Sequence, residues 1–347
     1  MTAYPLDIII PVWNRPVEVR AALASFVAAS PMARLVMVNN GSERETESIL
    51  DEFAEALDDR ALLVATERNI GSVAALNLGL SRSSAPLVLV TTPFARVKAG
   101  WFEPVEAFFE QHAAAGSATL LNNKTSATSQ PIEADHGCFD AMVLRRLLYD
   151  TVGGFDEGMD GGEWALRDFA RCSLAFGQTT FSLPGGYINL LEQREFGSAS
   201  RREERVRLAR ETYANRWGVS ETFLLNFSES LFGLDIEALR DALLRSARQG
   251  NRLIVTADSK SSKLLMKNGF TAIHENVTFQ PLPRFFPKKS LHSLVERAAL
   301  SEPSITVISE TEICDNTLKS LSMADFLTQL QKRSELYYQR GSHDCNH

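Results

Sequence analysis

The first half of the chain alternates short apolar runs with segments of helical period. That alternation restricts it to folds in which parallel strands are joined by helices. Leu6 to Val12 (LDIIIPV) reads as a buried strand, and Pro16 to Ala29 as a helix carrying Val19, Leu23, Phe26 and Val27 on its inner face. A strand at Leu35 to Val38 ends in the turn Asn39-Asn40-Gly41-Ser42, and a helix follows over Glu45 to Leu57. The strand Ala61 to Thr66, the segment Arg68 to Ser83 and the strand Leu87 to Thr91 continue the pattern. Four such units predict an α/β fold, an open and mostly parallel sheet flanked by helices, with ligands at the carboxyl ends of its strands.

Further along, Thr119 to Tyr149 is less regular and contains the polar loop LLNNKTSATSQP, long enough to border a site. Asp168 to Ala175 has a helical pattern, and a long charged helix from Ser200 to about Trp217 closes a first domain over residues 1–218. Residues 219–347 read as a smaller α/β or helical appendage. Its predicted strands are Asn251 to Ala257 and Ser304 to Ser309, and its predicted helices are Ser261 to Asn268 and Leu318 to Tyr338. The Pro-rich Phe279 to Ser290 between them is expected to be extended and exposed.

A length of 347 residues gives room for two cores, and a net charge of -7 argues against a nucleic-acid partner, which demands a concentrated basic face. The densest basic stretch, Arg201 to Arg210, interleaves its arginines with Glu203 and Glu204 at helical spacing, so it reads as a solvated helix with internal ion pairs. The four cysteines form no C-x-x-C pair, which favours reduced thiols and a cytoplasmic location. No stretch approaches the length needed to span a bilayer, and peripheral membrane contact stays open. His343, Cys345 and His347 sit in a tail that reads as frayed rather than as a metal site.

The segments DIIIPVWNRPVEVRAALASF, VNNGS, RNIGSVAALNLGL, KAGW and VGGFDEGMDGGEW occur in this order. Together they resemble the GT-A-type glycosyltransferases of the large inverting family 2, over about Asp7 to Trp217. The resemblance implies a Rossmann-like nucleotide-diphospho-sugar transferase fold, a UDP- or GDP-sugar donor, and a glycan, lipid-linked or other hydroxyl acceptor. It places Pro11, Val12, Trp13, Asn14 and Arg15 at the nucleotide base and ribose. Trp13 then offers an aromatic surface or is core, and Arg15 faces a phosphate or caps the sheet edge. Asn39 stands where the family has an acid that reads the base, and Gly41 makes the turn beside it. Arg68, Asn69, Gly71 and Asn77 fall at a helix start whose free N–H groups suit a diphosphate or simply form a structural turn.

This chain departs from the family pattern in three places. Counting back from Gly100-Trp101, the metal-binding Asp-x-Asp falls at Thr92-Pro93-Phe94, just after Thr91, and neither end is acidic. A divalent cation needs hard, preferably anionic, oxygen ligands, so the resemblance here implies no metal ligands. The catalytic acid pair reads Glu163-Trp164, leaving Glu163 and Asp168 as candidate general bases, with Asp160 also in reach. The late family histidine falls near Glu192 or Gln193, and His136 is the one histidine in a segment predicted to border the site. Two readings follow. Either Arg15, Arg68 or Arg96 with helix N–H groups neutralises the diphosphate without a metal, or the protein is a catalytically inactive relative that binds a nucleotide, sugar or protein partner.

Overall fold

A computed structural model describes residues 4–121, 130–191, 198–227, 235–301, 305–308 and 319–344, with the backbone alone at 301 and 336–344. The positions near Glu192 and Gln193, most of the polar loop before Pro131, and the side chains of the His343–His347 tail lie outside the described residues.

The chain divides into two compact units. Met1–Pro131 and His136–Arg216 form the first. Its elements are β1 (Leu6–Val12), α1 (Pro16–Ala29), β2 (Arg34–Asn40), α2 (Arg44–Leu57), β3 (Ala61–Thr66), α3 (Ser72–Ser81), β4 (Leu87–Thr91), β5 (Ala95–Val97), α4 (Phe102–Gln111) and β6 (Ala115–Leu120). After β7 (Ile132–Ala134), which belongs to the second unit, come β8 (Ala141–Arg145), α5 (Arg146–Val152), α6 (Trp164–Ala175), β9 (Thr179–Leu183), β10 (Ile188–Leu190) and α7 (Ala199–Trp217). The main sheet runs β3-β2-β1-β4-β8-β6-β9. β3, β2, β1 and β4 are parallel, β8 is antiparallel to both neighbours, and β6 and β9 are parallel again. β5 and β10 form a separate antiparallel pair.

β1 reads as an apolar run because α1 covers one face through Val19, Ala22, Leu23 and Phe26 and α3 covers the other; Ile9 meets a would-be Cβ of Gly79 at 2.5 Å. The start of β1 is fixed by Asp7, buried, which accepts two hydrogen bonds from Arg34 at 2.9 and 2.7 Å and the amide of Ser84 at 2.6 Å. A buried carboxylate is tolerated only when so satisfied. This packing fixes β1 and β2 so that their carboxyl ends open side by side.

The second unit holds Ile132–Asp135 and Trp217–Ser342. Besides β7 it comprises β11 (Thr222–Phe227), α8 (Ile236–Arg248), β12 (Arg252–Ala257), α9 (Ser259–Lys267), β13 (Val277–Pro281), α10 (Pro287–Ser301), β14 (Thr306–Ile308), β15 (Lys319–Leu321) and α11 (Met323–Asp344). Among the described residues its sheet has five parallel strands in the order β13-β12-β11-β14-β15. Phe223, Phe227, Leu243, Val255 and Phe326 fill its core. The expected extended stretch over Phe279 to Ser290 is corrected: strand β13 runs to Pro281 and helix α10 begins at Pro287, a residue preset for a first helical position. The helix expected from Leu318 starts instead at Met323, where Ser322 caps it by accepting the amide of Asp325 at 3.1 Å, and β15 precedes it.

Among the described residues no helix is long and apolar enough to cross a membrane. Cys138 is free and Cys172 is disulfide-bonded, which corrects the expectation of reduced thiols, since separation along the chain does not prevent pairing in space.

Candidate active site

The turn after β1 is strained and laced to the turn after β2. Asn14 and Arg15 both take positive φ, at 59° and 66°, a region most L residues avoid. The Asn14 amide donates to Ser42 Oγ at 2.9 Å, and Asn14 Oδ1 accepts the Glu43 amide at 2.8 Å. This contortion leaves Trp13 49% exposed, a surface ring rather than a core one. Pro11 and Val12 remain within the strand, and Val12 contributes its carbonyl to Ser42 Oγ at 3.3 Å. Arg15 lies over the ring of Phe94, 5.6 Å from its centroid, and 3.9 Å from Glu18. The position of the missing second acid is therefore an aromatic seat for Arg15.

The β2 turn organises the loop before α3. Asn39 is buried, its Oδ1 accepting the Ser42 amide at 2.9 Å and its Nδ2 donating to Glu47 at 3.3 Å, so both polar ends are engaged within the protein. Asn40 does more than shape a turn: it accepts the Ile70 amide at 2.9 Å and donates to the Gly71 carbonyl at 3.1 Å and to Asn69 at 3.3 Å. Gly41, with φ 69°, lets this turn approach Arg68, since a Cβ there would stand 2.4 Å from the Arg68 carbonyl carbon. Asn69 Oδ1 accepts the Gly71 amide at 2.9 Å, the Asx turn that launches α3. Arg68 is exposed.

The first turn of α3 already holds an anion. Asp160 Oδ2 accepts the Ser72 amide at 2.9 Å, and a Cβ on Gly71 would stand 2.6 Å from the same oxygen. Asn77, expected to face a diphosphate, instead clamps the Gly-Gly-Phe-Asp-Glu segment: its Nδ2 donates to the Phe155 carbonyl at 2.8 Å and to Glu157 at 3.1 Å, and its Oδ1 accepts the Phe155 amide at 3.1 Å.

At the end of β4, Thr91 is buried and donates to the Asp140 carbonyl at 2.8 Å, while Thr92 Oγ1 stands 3.4 Å from Asp140 Oδ1. Asp140 comes from the turn leading into β8, a strand pairing that brings it beside β4 from about fifty positions away. Burial pushes the neighbouring Cys138 thiol up to about 11, and the Asp140 carboxylate adds to the effect. One carboxylate and a hydroxyl are a poor donor set for the divalent cation that the fold family uses. Among the described residues, no group of three or more His, Cys, Asp or Glu side chains is placed to hold a metal. The residues at Thr92 do not fit that cation.

Of the two candidate bases, the structure separates one from the other. Asp168 in α6 is 1% exposed and its Oδ1 accepts from Arg216 at 2.8 Å, while Arg216 also reaches Asp156 at 2.7 Å. Asp168 is an internal anchor, since a base must reach the acceptor hydroxyl and this carboxylate is sealed in an ion pair. Glu163, at the start of α6, is about half exposed. Its Oε1 accepts from Arg167 at 2.8 Å, and its Oε2 lies 3.7 Å from His136 Nε2. His136 Nδ1 is turned to the Gly137 carbonyl at 2.7 Å, which fixes the ring orientation. Trp164, in the place of the second acid, packs against Tyr213 with ring centroids 5.2 Å apart. Arg96 spends its guanidinium on the carbonyls of Pro93, Ala95 and Glu18, and is thereby removed from the candidate phosphate ligands.

A cavity of about 650 Å³ is lined by Trp13, Asn69, Gly71 and Ser72 on one side and by Arg201, Arg202 and Arg205 of α7 on the other. A second cavity of about 610 Å³ shares Arg202 and Arg205 and is floored by Gly161 and Gly162, next to Glu163. The α7 arginines are the lining that sequence spacing disguises as a solvated face. The expected ion pairs exist, Glu204 with Arg207 at 2.7 Å and Arg207 with Glu211 at 2.5 Å, but they occupy only part of that helix.

The sequence over residues 7–167 matches the family model described as glycosyl transferase family 2. Over these residues the chain is a glycosyltransferase family 2 domain. No curated protein matches the chain in sequence. Among solved structures, the chain is similar to GalNAc-T7, crystallised with UDP, GalNAc and Mn2+, at TM-score 0.50 and 13% identity over 62% of this chain. It spans 50% of the GalNAc-T7 chain, about half its length. The mannosyltransferase PcManGT from Pyrobaculum calidifontis, in complex with GDP-Man and Mn2+, aligns at TM-score 0.47 and 13% identity over 98% of this chain and 86% of its own. S. aureus TarS aligns at 0.48 and 14% over 71% and 44%. At such identities the likeness is one of fold.

Proposed function

We propose that the glycosyltransferase domain moves a sugar from a UDP- or GDP-sugar to a hydroxyl of a glycan or lipid-linked acceptor, without a divalent cation at Thr92. The observation that carries this reading is the cavity beyond the carboxyl ends of β1 and β3, walled by the exposed Trp13 and lined opposite by arginines. GalNAc-T7 was crystallised with UDP and PcManGT with GDP-Man, which supports a nucleoside-diphosphate donor here.

In this reading Trp13 flanks the base, and Pro11, Val12, Asn14, Asn39 and Gly41 shape the turns beneath it. The acceptor enters the second cavity beside Gly161 and Gly162. The Glu163 carboxylate takes the proton of the acceptor hydroxyl while that oxygen bonds to the anomeric carbon; the bond to the donor phosphate oxygen breaks and its electron pair leaves with the diphosphate. Arg167 and His136 orient Glu163 from its two oxygens.

A panel of UDP- and GDP-sugars, each with EDTA or with Mn2+, tests the proposal through release of nucleoside diphosphate and sugar transfer. EDTA-insensitive turnover is expected. Absence of both thermal stabilisation and donor cleavage with every donor sinks it. A second reading, a binding protein without turnover, is favoured by Trp164 standing where a second acid would be. Stabilisation by a donor that is never cleaved would select it.

A further inference from the structure

We infer that Arg201 and Arg205 of α7 form a guanidinium clamp that holds the donor diphosphate by charge and hydrogen bonds, in the role a bridging cation would otherwise fill. This rests on reading the cavity as a sugar-nucleotide site. Residues four apart share one face of a helix, which sets Arg201 beside Arg205 on α7. With Arg202 they line the cavity, facing Trp13 and Asn69.

Glu204, the acid among the described lining residues, does not compensate Arg201 or Arg205. Both carboxylate oxygens of Glu204 accept from Arg207, at 2.7 and 2.8 Å, so that charge is already spent. Across the site, the first amide of α3 is given to Asp160, Arg96 is turned onto backbone carbonyls, and Arg15 sits on Phe94. A diphosphate entering this cavity thus meets its countercharge on α7. Planar guanidinium forks match paired phosphate oxygens better than ammonium groups do.

The clamp is built into the fold. Gly161 lies so close under α7 that a Cβ there would stand 2.7 Å from the Arg205 carbonyl oxygen and 2.8 Å from its carbonyl carbon. Any larger residue at 161 would push that turn of α7 outward. The glycine pair before Glu163 therefore seats the arginines as well as opening the second cavity.

The test is calorimetric titration of GDP, UDP, GMP and UMP in EDTA into the full chain, the Arg201→Gln/Arg205→Gln double variant, Arg205→Lys, and Arg82→Gln as an exposed control at the far end of α3. The wild type should prefer a diphosphate over the matching monophosphate without metal. The double variant should lose that preference, weakening diphosphate binding roughly tenfold or more per guanidinium while monophosphate binding changes little. Arg205→Lys, which keeps charge and fold, should fall between. Diphosphate affinity within twofold of wild type in the double variant overturns the clamp, as does wild-type binding seen only with Mn2+, and both leave the donor reading standing. No binding of any nucleotide to the wild type, with or without Mn2+, overturns the clamp and the donor reading together.

Discussion

Asp160 Oδ2 accepts the backbone N–H of Ser72 at 2.9 Å, so a carboxylate from the segment after β8 caps the helix whose first turn borders the cavity. The helix dipole favours an anion in that place, and the protein supplies its own. The same carboxylate opposes any anionic ligand nearby.

Removing it should therefore act in two directions. Asp160→Ala is expected to lower stability by about 1 kcal/mol, the usual worth of a helix cap, while GDP or UDP binds several-fold more tightly. Titration calorimetry beside urea unfolding measures both. Weaker nucleotide binding in this variant would make Asp160 a supporting group for the ligand and not a competitor.

Glu163→Gln should reduce turnover by roughly a hundredfold or more, the typical contribution of a general base, with the donor dissociation constant unchanged within twofold. His136→Gln should produce a smaller loss of turnover with the donor dissociation constant unchanged, because it acts through Glu163. Equal rates in wild type and Glu163→Gln would remove this glutamate from the chemistry.

For the anchor beneath α6, substitution should act on folding alone. Arg216→Met removes the guanidinium that Asp168 and Asp156 share, and breaking a buried pair from one side costs about 3 to 5 kcal/mol; Arg216 is 19% exposed, so the lower end is expected. Asp168→Asn should lose less, and the double variant less than the sum of the two. Urea midpoints report this. A loss of turnover in folded Asp168→Asn that exceeds its loss of stability would return Asp168 to the mechanism.

Gly41→Ala places a Cβ 2.4 Å from the Arg68 carbonyl carbon at a φ of 69°, so the turn must move. Destabilisation of at least about 1 kcal/mol follows from the incompatible backbone alone. Because the displaced loop carries Asn69 and Gly71, GDP and UDP affinity should fall too. A variant with wild-type stability and affinity would show that the two turns are not tightly coupled.

Cys138 gives a pH signature. An unfolded thiol ionises near pH 8.5, whereas burial and Asp140 hold this one protonated up to about 11. The folded group keeps its proton where the unfolded one releases it, so its contribution to stability is intact below about pH 8.5 and fades as pH climbs toward 11, by roughly 2 to 3 kcal/mol in all. Iodoacetamide labelling of Cys138, followed by peptide mass spectrometry, should be slow at pH 8 and rise with a midpoint near the higher value. A midpoint at 8.5 would refute the burial argument.

The parallel half of the first sheet is legible in the sequence because β1, β2 and β4 are apolar runs, the first two each followed by a helix. β6 is not: its residues, AGSATL, are small and polar, and only burial between β8 and β9 makes them a strand. The site divides in the same way. Its turns after β1 and β2 are local and visible, as are Asn69 and Gly71. Asp140 beside Thr92, Asp160 on Ser72 and Asn77 on Phe155 are contacts across 48, 88 and 78 positions, set by topology alone. Nothing in the spacing of Asp168 tells a sealed ion pair from an open base, and nothing in RREERVRLAR tells a cavity wall from a wetted helix.

The segment Ile132–Asp135 counts with Trp217–Ser342 although it lies deep within the first half of the chain. Glu133 in it binds Arg248 at 2.5 and 2.8 Å, and the Asp135 amide binds Glu275 at 2.6 Å. A gene shortened after codon 216 would therefore not yield a clean catalytic fragment: it would leave four orphaned residues, an unpaired Glu133 among them, stitched into the middle of what remains. Anyone wishing to separate the halves must edit the coding sequence in two places.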